Sequence, residues 1–408
     1  MQSLVATRTM DQAAEPAAPV RAAAARRPRV MIIYKSLPEY RRRFYESLRA
    51  RLAEMGVELQ LVYGQAGVED AKKNDCVDLP WATRVKNRIW RVGQRDVYWQ
   101  PCLRLTRQAD LVIVEQANRL LLNYVLLVLR QLGLRRVAFW GHGRDFQAHG
   151  HFRMREWIKH RLTRHVDWWF AYNDTSVRVV QAAGYPAQRI TNVQNAIDTR
   201  RLTEALQRTT PEQIQEMRAR LGIRGQNVCI YTGGMYKDKR LEFLVHACDL
   251  LRVRVPDFEM IFVGSGPEAG VVREAAKTRP WMHFVGPQFD TAKVVYFAAS
   301  KLLLMPGLVG LVALDAFALE TPLVTTNVAY HSPEIEYVRD GANGVIVDPP
   351  EELEKYVSAV AGLLRDEPHR QKLIAGCRAA RERYTNEAMV ERFAGGIGSA
   401  LREAGVMR

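Results

Sequence analysis

The sequence predicts an α/β protein made of two Rossmann-like parallel-sheet domains that face one cleft. Three observations carry this. Apolar strand-like runs alternate with amphipathic helical segments from residue 29 onward, which is the rhythm of parallel sheets wound by right-handed crossovers. In the second half, glycine-bearing turns close successive apolar runs, at Gly233-Gly234, at Gly264-Ser265-Gly266-Pro267 and from Gly307 to Gly310. The chain has 408 residues and is 48% hydrophobic, enough for two domains that each bury a core.

In order along the chain, residues 1–28 are rich in Ala, Pro and Arg and lack the apolar core of a secretory signal, so they read as a disordered tail. VMIIYK (Val30–Lys35), ELQLVYG (Glu58–Gly64), ADLVIVE (Ala109–Glu115) and RRVAFWG (Arg135–Gly141) read as buried strands. The most apolar run, Leu120 to Leu134, is interrupted by Asn123, Arg130 and Gln131. It falls short of the roughly 20 apolar residues a membrane span needs, so it reads as a helix within a domain. A charged helical divider follows, with Thr210 as cap and Pro211 behind it. Beyond it NVCIYTGG, EMIFVGSG, HFVG, KLLLMPG, PLVTT and NGVIVD supply a second set of strands. The expected domains are therefore 29–199 and 200–385, with a final helix over 386–408 packing back towards the first domain.

The charge of +15 is unevenly placed. Residues 1–200 hold 33 Lys and Arg against 18 Asp and Glu, whereas the remainder hold 26 of each. Such a field concentrates anionic partners at one surface, and it also serves solubility. The five cysteines are scattered and never form a C-x-x-C pair, which indicates neither a disulfide framework nor a structural zinc site. A reducing, cytoplasmic setting follows, with a peripheral place on the inner face of a membrane open to it.

In an open parallel sheet ligands sit beyond the carboxyl ends of the strands, where glycine lets backbone N–H groups approach phosphate oxygens. Each glycine turn also has a purely steric use. Lys237, Lys239 and Arg240, just after the first turn, add cations that could meet a diphosphate.

These residues, in this rhythm, resemble the GT-B glycosyltransferases of family four, the group 1 retaining enzymes that use nucleotide sugars. The resemblance rests on Asn195-Ala196-Ile197-Asp198, on VCIYTGGMYKDKRLEFLVHA, on FEMIFVGSGPE with HFVGPQ, and on GLVALDAFALETPLVTT and SPEIEYVRDGANGVIVDPPE, in that order. It implies that the C-terminal domain holds the nucleotide. Gly233, Gly234, Gly264 and Gly266 would approach the phosphates, Lys239 would bind the diphosphate, and Asp315 would accept from the ribose. The family's Arg after the first turn is Met235 here, leaving Lys237 or Arg240 to supply its charge. The first carboxylate of the family's E-x7-E pair falls on Gly307, so sugar contacts would pass to backbone amides around Leu308, Gly310 and Leu311.

The first half carries SLPEYRRRFYESLRARL. The resemblance implies that Tyr40 and Arg41 start the helix flanking the acceptor. Arg42, Arg43, Arg49 and Arg51 beside Phe44, Tyr45 and Leu48 make a basic amphipathic face. That face fits an anionic membrane or a lipid diphosphate, and equally a core-facing helix with a solvated side. A second basic stretch runs from His151 to Tyr172, with the same two readings. His142, between Gly141 and Gly143, matches the family's N-domain histidine that reaches the donor sugar, and Arg144 lies beside it on the acceptor side. Glu334 is a candidate acid at the donor or a helix cap. No D-x-D or H-E-x-x-H motif occurs, so no metal and no cofactor beyond the co-substrate are expected.

The expected function is transfer of a hexosyl unit from a nucleoside-diphosphate sugar to a lipid-linked or polysaccharide acceptor, with retention implied by the resemblance alone. A GT-B nucleotide-sugar epimerase is one rival. A degenerate, non-catalytic protein binding membrane or nucleic acid is the other, although no RNA-binding signature is present and nucleic acid is not an expected partner.

Overall fold

The computed structural model describes residues 26–67, 76–93, 95–143 and 164–407. The first domain runs β1 (Arg29–Tyr34), α1 (Arg42–Glu54), β2 (Glu58–Tyr63), β3 (Thr83–Arg84), β4 (Arg88–Val92), β5 (Arg95–Trp99), β6 (Leu111–Glu115), α2 (Leu121–Gln131), β7 (Val137–Gly141), β8 (Trp168–Ala171), α3 (Asp174–Ala182) and β9 (Ile190–Asn192). Seven of these strands form one sheet in the order β3-β2-β1-β6-β7-β8-β9, parallel throughout. Strands β4 and β5 stand apart as an antiparallel hairpin, an element the strand rhythm did not reveal.

The second domain runs α4 (Arg200–Arg208), α5 (Pro211–Leu221), β10 (Asn227–Gly234), α6 (Leu241–Arg254), β11 (Phe258–Ser265), α7 (Ala269–Thr278), β12 (Met282–Gly286), α8 (Val294–Ala298), β13 (Leu302–Leu304), α9 (Val312–Ala318), β14 (Leu323–Thr326), β15 (Gly344–Val347), α10 (Leu353–Arg365), α11 (Glu367–Arg383) and α12 (Asn386–Glu403). Its sheet is ordered β12-β11-β10-β13-β14-β15, again parallel. The order reverses between β10 and β13, so a crevice opens at their carboxyl ends. Both faces of β10 and β11 are buried, which is why these strands read as unbroken apolar runs rather than alternating ones.

Local signals act where the sequence places them. Thr210 caps α5 through a reciprocal pair: its Oγ1 accepts from Gln213 N at 3.3 Å, and Gln213 Oε1 accepts from Thr210 N at 3.0 Å. Helix α12 lies on the first domain, where Met389, Phe393, Ile397 and Leu401 join that domain's core. Phe393 stacks on Phe170 with centroids 4.3 Å apart. Gly396 permits this approach, since a Cβ there would fall 2.3 Å from Thr191 Oγ1.

Helix α1 resolves one open reading. Phe44, Tyr45, Leu48 and Leu52 are buried in the core. On the basic side Arg42 pairs with Glu39, and Arg51 with Glu54 and Glu391. Its apolar face is therefore already covered, which is the core-facing helix with a solvated basic side. In α2 only Leu122, Asn123, Leu126 and Leu127 are buried, and Val128 faces outward. Among the described residues no helix is long and apolar enough to cross a membrane. Arg144, residues 151–163 of the second basic stretch and residues 1–25 of the expected tail lie outside the described residues. Arg26, within the expected tail, pairs with Asp110 at 2.7 Å.

Candidate functional site

Two crossed turns build the floor of the site. Gly233, Gly264 and Gly266 have φ of 127°, 148° and 150°, in the region that L side chains avoid. The backbones also approach too closely for any side chain. A Cβ on Gly264 would lie 2.0 Å from Gly233 O, and one on Gly266 would lie 2.4 Å from Met235 O. Met235 is fully buried and ties the turns together, donating its N–H to Ser265 O at 2.8 Å and accepting from Glu268 N at 2.9 Å. A cationic side chain at this position is thus replaced by a core one.

Above these turns opens a cavity of about 850 Å³, lined by Gly233, Gly234, Gly264 and Gly266, by Lys239 and Lys293, and by Gly310, Leu311 and Asp315. Its size is that of a typical small-molecule site. Lys239 is only 9% exposed, and its Nζ donates to Leu308 O beside Met305 Sδ. Burial lowers its ammonium pKa to about 8, against a weaker upward pull from Asp238. Asp315 holds Lys293 at 2.5 Å, both side chains largely buried. Lys293 went unnoticed in the sequence because it stands 22 residues from Asp315, on a different element with no motif spacing between them.

Two of the expected cations belong elsewhere. Arg240, at φ 55°, donates to Pro350 O at 2.7 Å and Thr326 Oγ1 at 3.0 Å, and its guanidinium lies 4.2 Å from the Phe243 ring centroid. It braces the end of β14 and does not line the cavity. Lys237 is exposed and is also absent from the wall. Neither residue expected to stand in for the charge missing at Met235 is among those lining the cavity.

The loop before α9 explains the missing carboxylate. A Cβ on Gly307 would fall 2.2 Å from Asp238 O and 2.5 Å from Lys239 C, so the loop lies directly on the backbone that carries Lys239. Leu308 N donates to Asp238 O at 2.8 Å, and Val309 N donates to His331 Nδ1 at 3.0 Å. His331 Nε2 lies 2.7 Å from Thr326 O. With Nδ1 accepting, the proton sits on Nε2 and the ring is neutral, in keeping with a pKa lowered mainly by burial. The expected cradle over Leu308–Leu311 thus contracts to Gly310 and Leu311, and Leu308 serves by its carbonyl. Gly307→Ala is expected to cost about 1–3 kcal/mol, read as a lower urea midpoint at unchanged slope. An unchanged midpoint would show that the loop can lift from Asp238 freely.

The remaining candidates gather at the joint between the domains. Arg41 is 1% exposed, with its guanidinium carbon 5.0 Å from the Trp140 ring centroid and 5.1 Å from that of Tyr40. Its Nη2 donates to Asn195 Oδ1 at 2.5 Å, and Asn195 Nδ2 donates to Glu334 Oε1 at 2.8 Å. Burial pushes the Glu334 carboxyl up, while the Asn195 hydrogen bond and the Arg41 charge pull it partly back. Around this relay Tyr337 OH donates to Asn195 O at 3.0 Å, and Asn173 Nδ2 donates to Pro333 O at 2.7 Å. Arg41 and Glu334 are therefore parts of the domain joint. Neither lines the cavity over the glycine turns, and Arg41 stands where the 39–41 turn enters α1. Tyr40 is 38% exposed beside them. His142 stands at the carboxyl end of β7, with its ring centroid 4.0 Å from that of Tyr172. Among the described residues no three His, Cys, Asp or Glu side chains cluster as metal ligands.

Comparison with known proteins agrees with this geometry. Residues 226–366 match the family model for glycosyl transferases group 1, and the residues lining the cavity fall within the matched segment. None of the curated proteins matches the chain. Among solved structures, Anabaena Alr3699/HepE in complex with UDP is similar over 91% of this chain and 100% of its own, with TM-score 0.67 and 16% identity. Sucrose-phosphate synthase from Thermosynechococcus elongatus covers 93% and 100% at TM-score 0.65 and 16% identity. WaaG, a glycosyltransferase involved in lipopolysaccharide biosynthesis, covers 90% and 98% at TM-score 0.58 and 16% identity. The fold is that of the GT-B glycosyltransferases, with two parallel-sheet Rossmann-like domains.

Proposed function

We propose that this glycosyltransferase moves a hexosyl unit from a nucleoside-diphosphate sugar, bound over the β10 and β11 turns, to a lipid-linked or saccharide acceptor presented by the first domain. The observation that carries this is the cavity itself. Three glycines at positive φ open its floor to phosphate oxygens, and Lys239 and Lys293 are its cations. UDP is the first nucleotide to test, since HepE is solved with UDP and with UDP-glucose.

In the reaction the bond between the anomeric carbon and the β-phosphate oxygen breaks, and the acceptor hydroxyl oxygen bonds to that carbon. Its proton leaves with the departing diphosphate or to solvent. Negative charge grows on the leaving group, so a cation fixed beside it stabilises the transition state more than the ground state. Lys239 is held for this by its buried position. Asp315 would accept from the ribose hydroxyls, which requires it to release or share Lys293. That release would free a second cation to face the diphosphate. His142 is proposed to reach the sugar from the first domain. Retention of configuration rests on the family likeness.

The uneven charge of the chain supports an anionic membrane as the place where the acceptor is met. The test is release of nucleoside diphosphate from UDP-, GDP-, ADP- and dTDP-sugars, with and without lipid-diphosphate or saccharide acceptors. The expected result is release from one donor that requires an acceptor and leaves a glycosylated product. Donor consumed equally without any acceptor would point to epimerase chemistry instead.

A further inference from the structure

The hairpin of β4 and β5 is the feature that the proposed chemistry does not use. Apart from Trp99 of the other face, which packs on the core at the hairpin's open end, it is held to the body of the first domain mainly by one face. On that face Asp96 and Tyr98 are buried, Tyr98 N donates to Arg119 O at 2.8 Å, and Gly67 N donates to Tyr98 OH at 3.2 Å. Arg88, Trp90 and Val92 are alternate residues of β4 and so share the opposite face. Trp90 is 48% exposed and Val92 64%, and Val97 lies across from Trp90 in the antiparallel register. Among the described residues Trp90 and Val92 stay exposed, so this strip is left uncovered there. Lys86, Arg88 and Arg91 are exposed beside it.

We infer that this hairpin is the element by which the first domain docks on an anionic lipid bilayer, Trp90 and Val92 entering the headgroup region while Lys86 and Arg88 meet acidic headgroups. The inference rests on the membrane reading above and gives it a location, which α1 cannot supply because its apolar face is core. Charge selects the occupant. The half of the chain that carries the hairpin holds all of the excess positive charge. Tryptophan beside cations at an exposed edge is the composition that suits the interface of an anionic bilayer. The hairpin lies outside the donor cavity, so its variants leave nucleotide binding as an internal control for folding.

The experiment is flotation of the full-length protein with vesicles of pure phosphatidylcholine and of phosphatidylcholine with phosphatidylglycerol. Wild type is compared with the double variant Trp90→Ser/Val92→Ser and with Arg88→Glu, alongside thermal stabilisation by the nucleoside diphosphate and sedimentation of the free protein. Expected is binding to the anionic vesicles that weakens with salt and falls at least tenfold in both variants, with nucleotide binding unchanged. Anionic-vesicle binding that is equal in wild type and variants would overturn the hairpin assignment and leave the membrane reading standing. Failure of wild type to bind anionic vesicles would overturn both. A wild-type dimer that becomes monomeric in the double variant, without vesicle binding, would show that the strip covers a second copy of this chain.

Discussion

Lys239→Ala is expected to lower nucleoside-diphosphate affinity by about ten- to a hundredfold, the worth of a charge-assisted hydrogen bond of roughly 1.5–3 kcal/mol. Turnover should fall further, by about 10²–10³, because leaving-group charge is greatest in the transition state. The same residue sets a pH dependence with a definite sign. In the empty site its ammonium pKa is lowered to about 8 by burial, and a bound diphosphate raises it. Between about pH 8 and the ordinary lysine value near 10.4, binding must therefore take up a proton, and affinity falls as pH rises by at most tenfold per unit. Titration calorimetry in buffers of different ionisation heat checks this. Proton release in that window, or an affinity flat with pH and unchanged in the alanine variant, would remove Lys239 from the phosphate site.

Arg41→Ala is expected to destabilise the protein by about 3–5 kcal/mol, because it breaks a buried polar network that runs through Asn195 to Glu334 and leaves a cavity among aromatic rings. The variant leaves Glu334 buried beside Asn195 without the Arg41 charge, and it empties the space between Trp140, Tyr172 and Phe44. Neutralising both ends, as Arg41→Met with Glu334→Gln, should recover most of that loss, since Met refills the space among the rings and Gln leaves no buried carboxyl that relies on the Arg41 charge. Equilibrium denaturation of the two single variants and the double variant gives the coupling directly. Additive losses would show that Asn195 transmits nothing between the two charges. His331 and Ser332 hold the loop before α9 at Val309, and Glu334 follows two residues later, so the joint and that loop are neighbours along the chain.

The parallel strands were legible because burial on both faces leaves an unbroken apolar run. The glycine turns were legible because backbone crossings at Gly264 and Gly266 exclude every other residue. What stayed hidden depends on distance through space. The Lys293–Asp315 pair and the Arg41–Asn195–Glu334 relay join residues 22 and 139 or more positions apart. The cations Lys237, Lys239 and Arg240 look interchangeable in one dimension, yet Arg240, in the left-handed region, turns its side chain to Pro350, and of the three Lys239 is the one that lines the cavity. The basic face of α1 pointed outward by periodicity without saying that its apolar face was already covered. The β4–β5 hairpin was missed because an exposed ribbon has no continuous apolar run to mark it.

The central claim is that the turns of β10 and β11 bind a nucleoside diphosphate, and thermal unfolding of the full-length protein in UDP, GDP, ADP and dTDP tests it most directly. A ligand that binds only the native state adds about 2.7 kcal/mol at a hundredfold excess over Kd. One nucleotide is predicted to raise Tm clearly, with the rise lost in Lys239→Ala. No rise with any of the four, or a rise that survives Lys239→Ala intact, would contradict the assignment of this cavity to the donor.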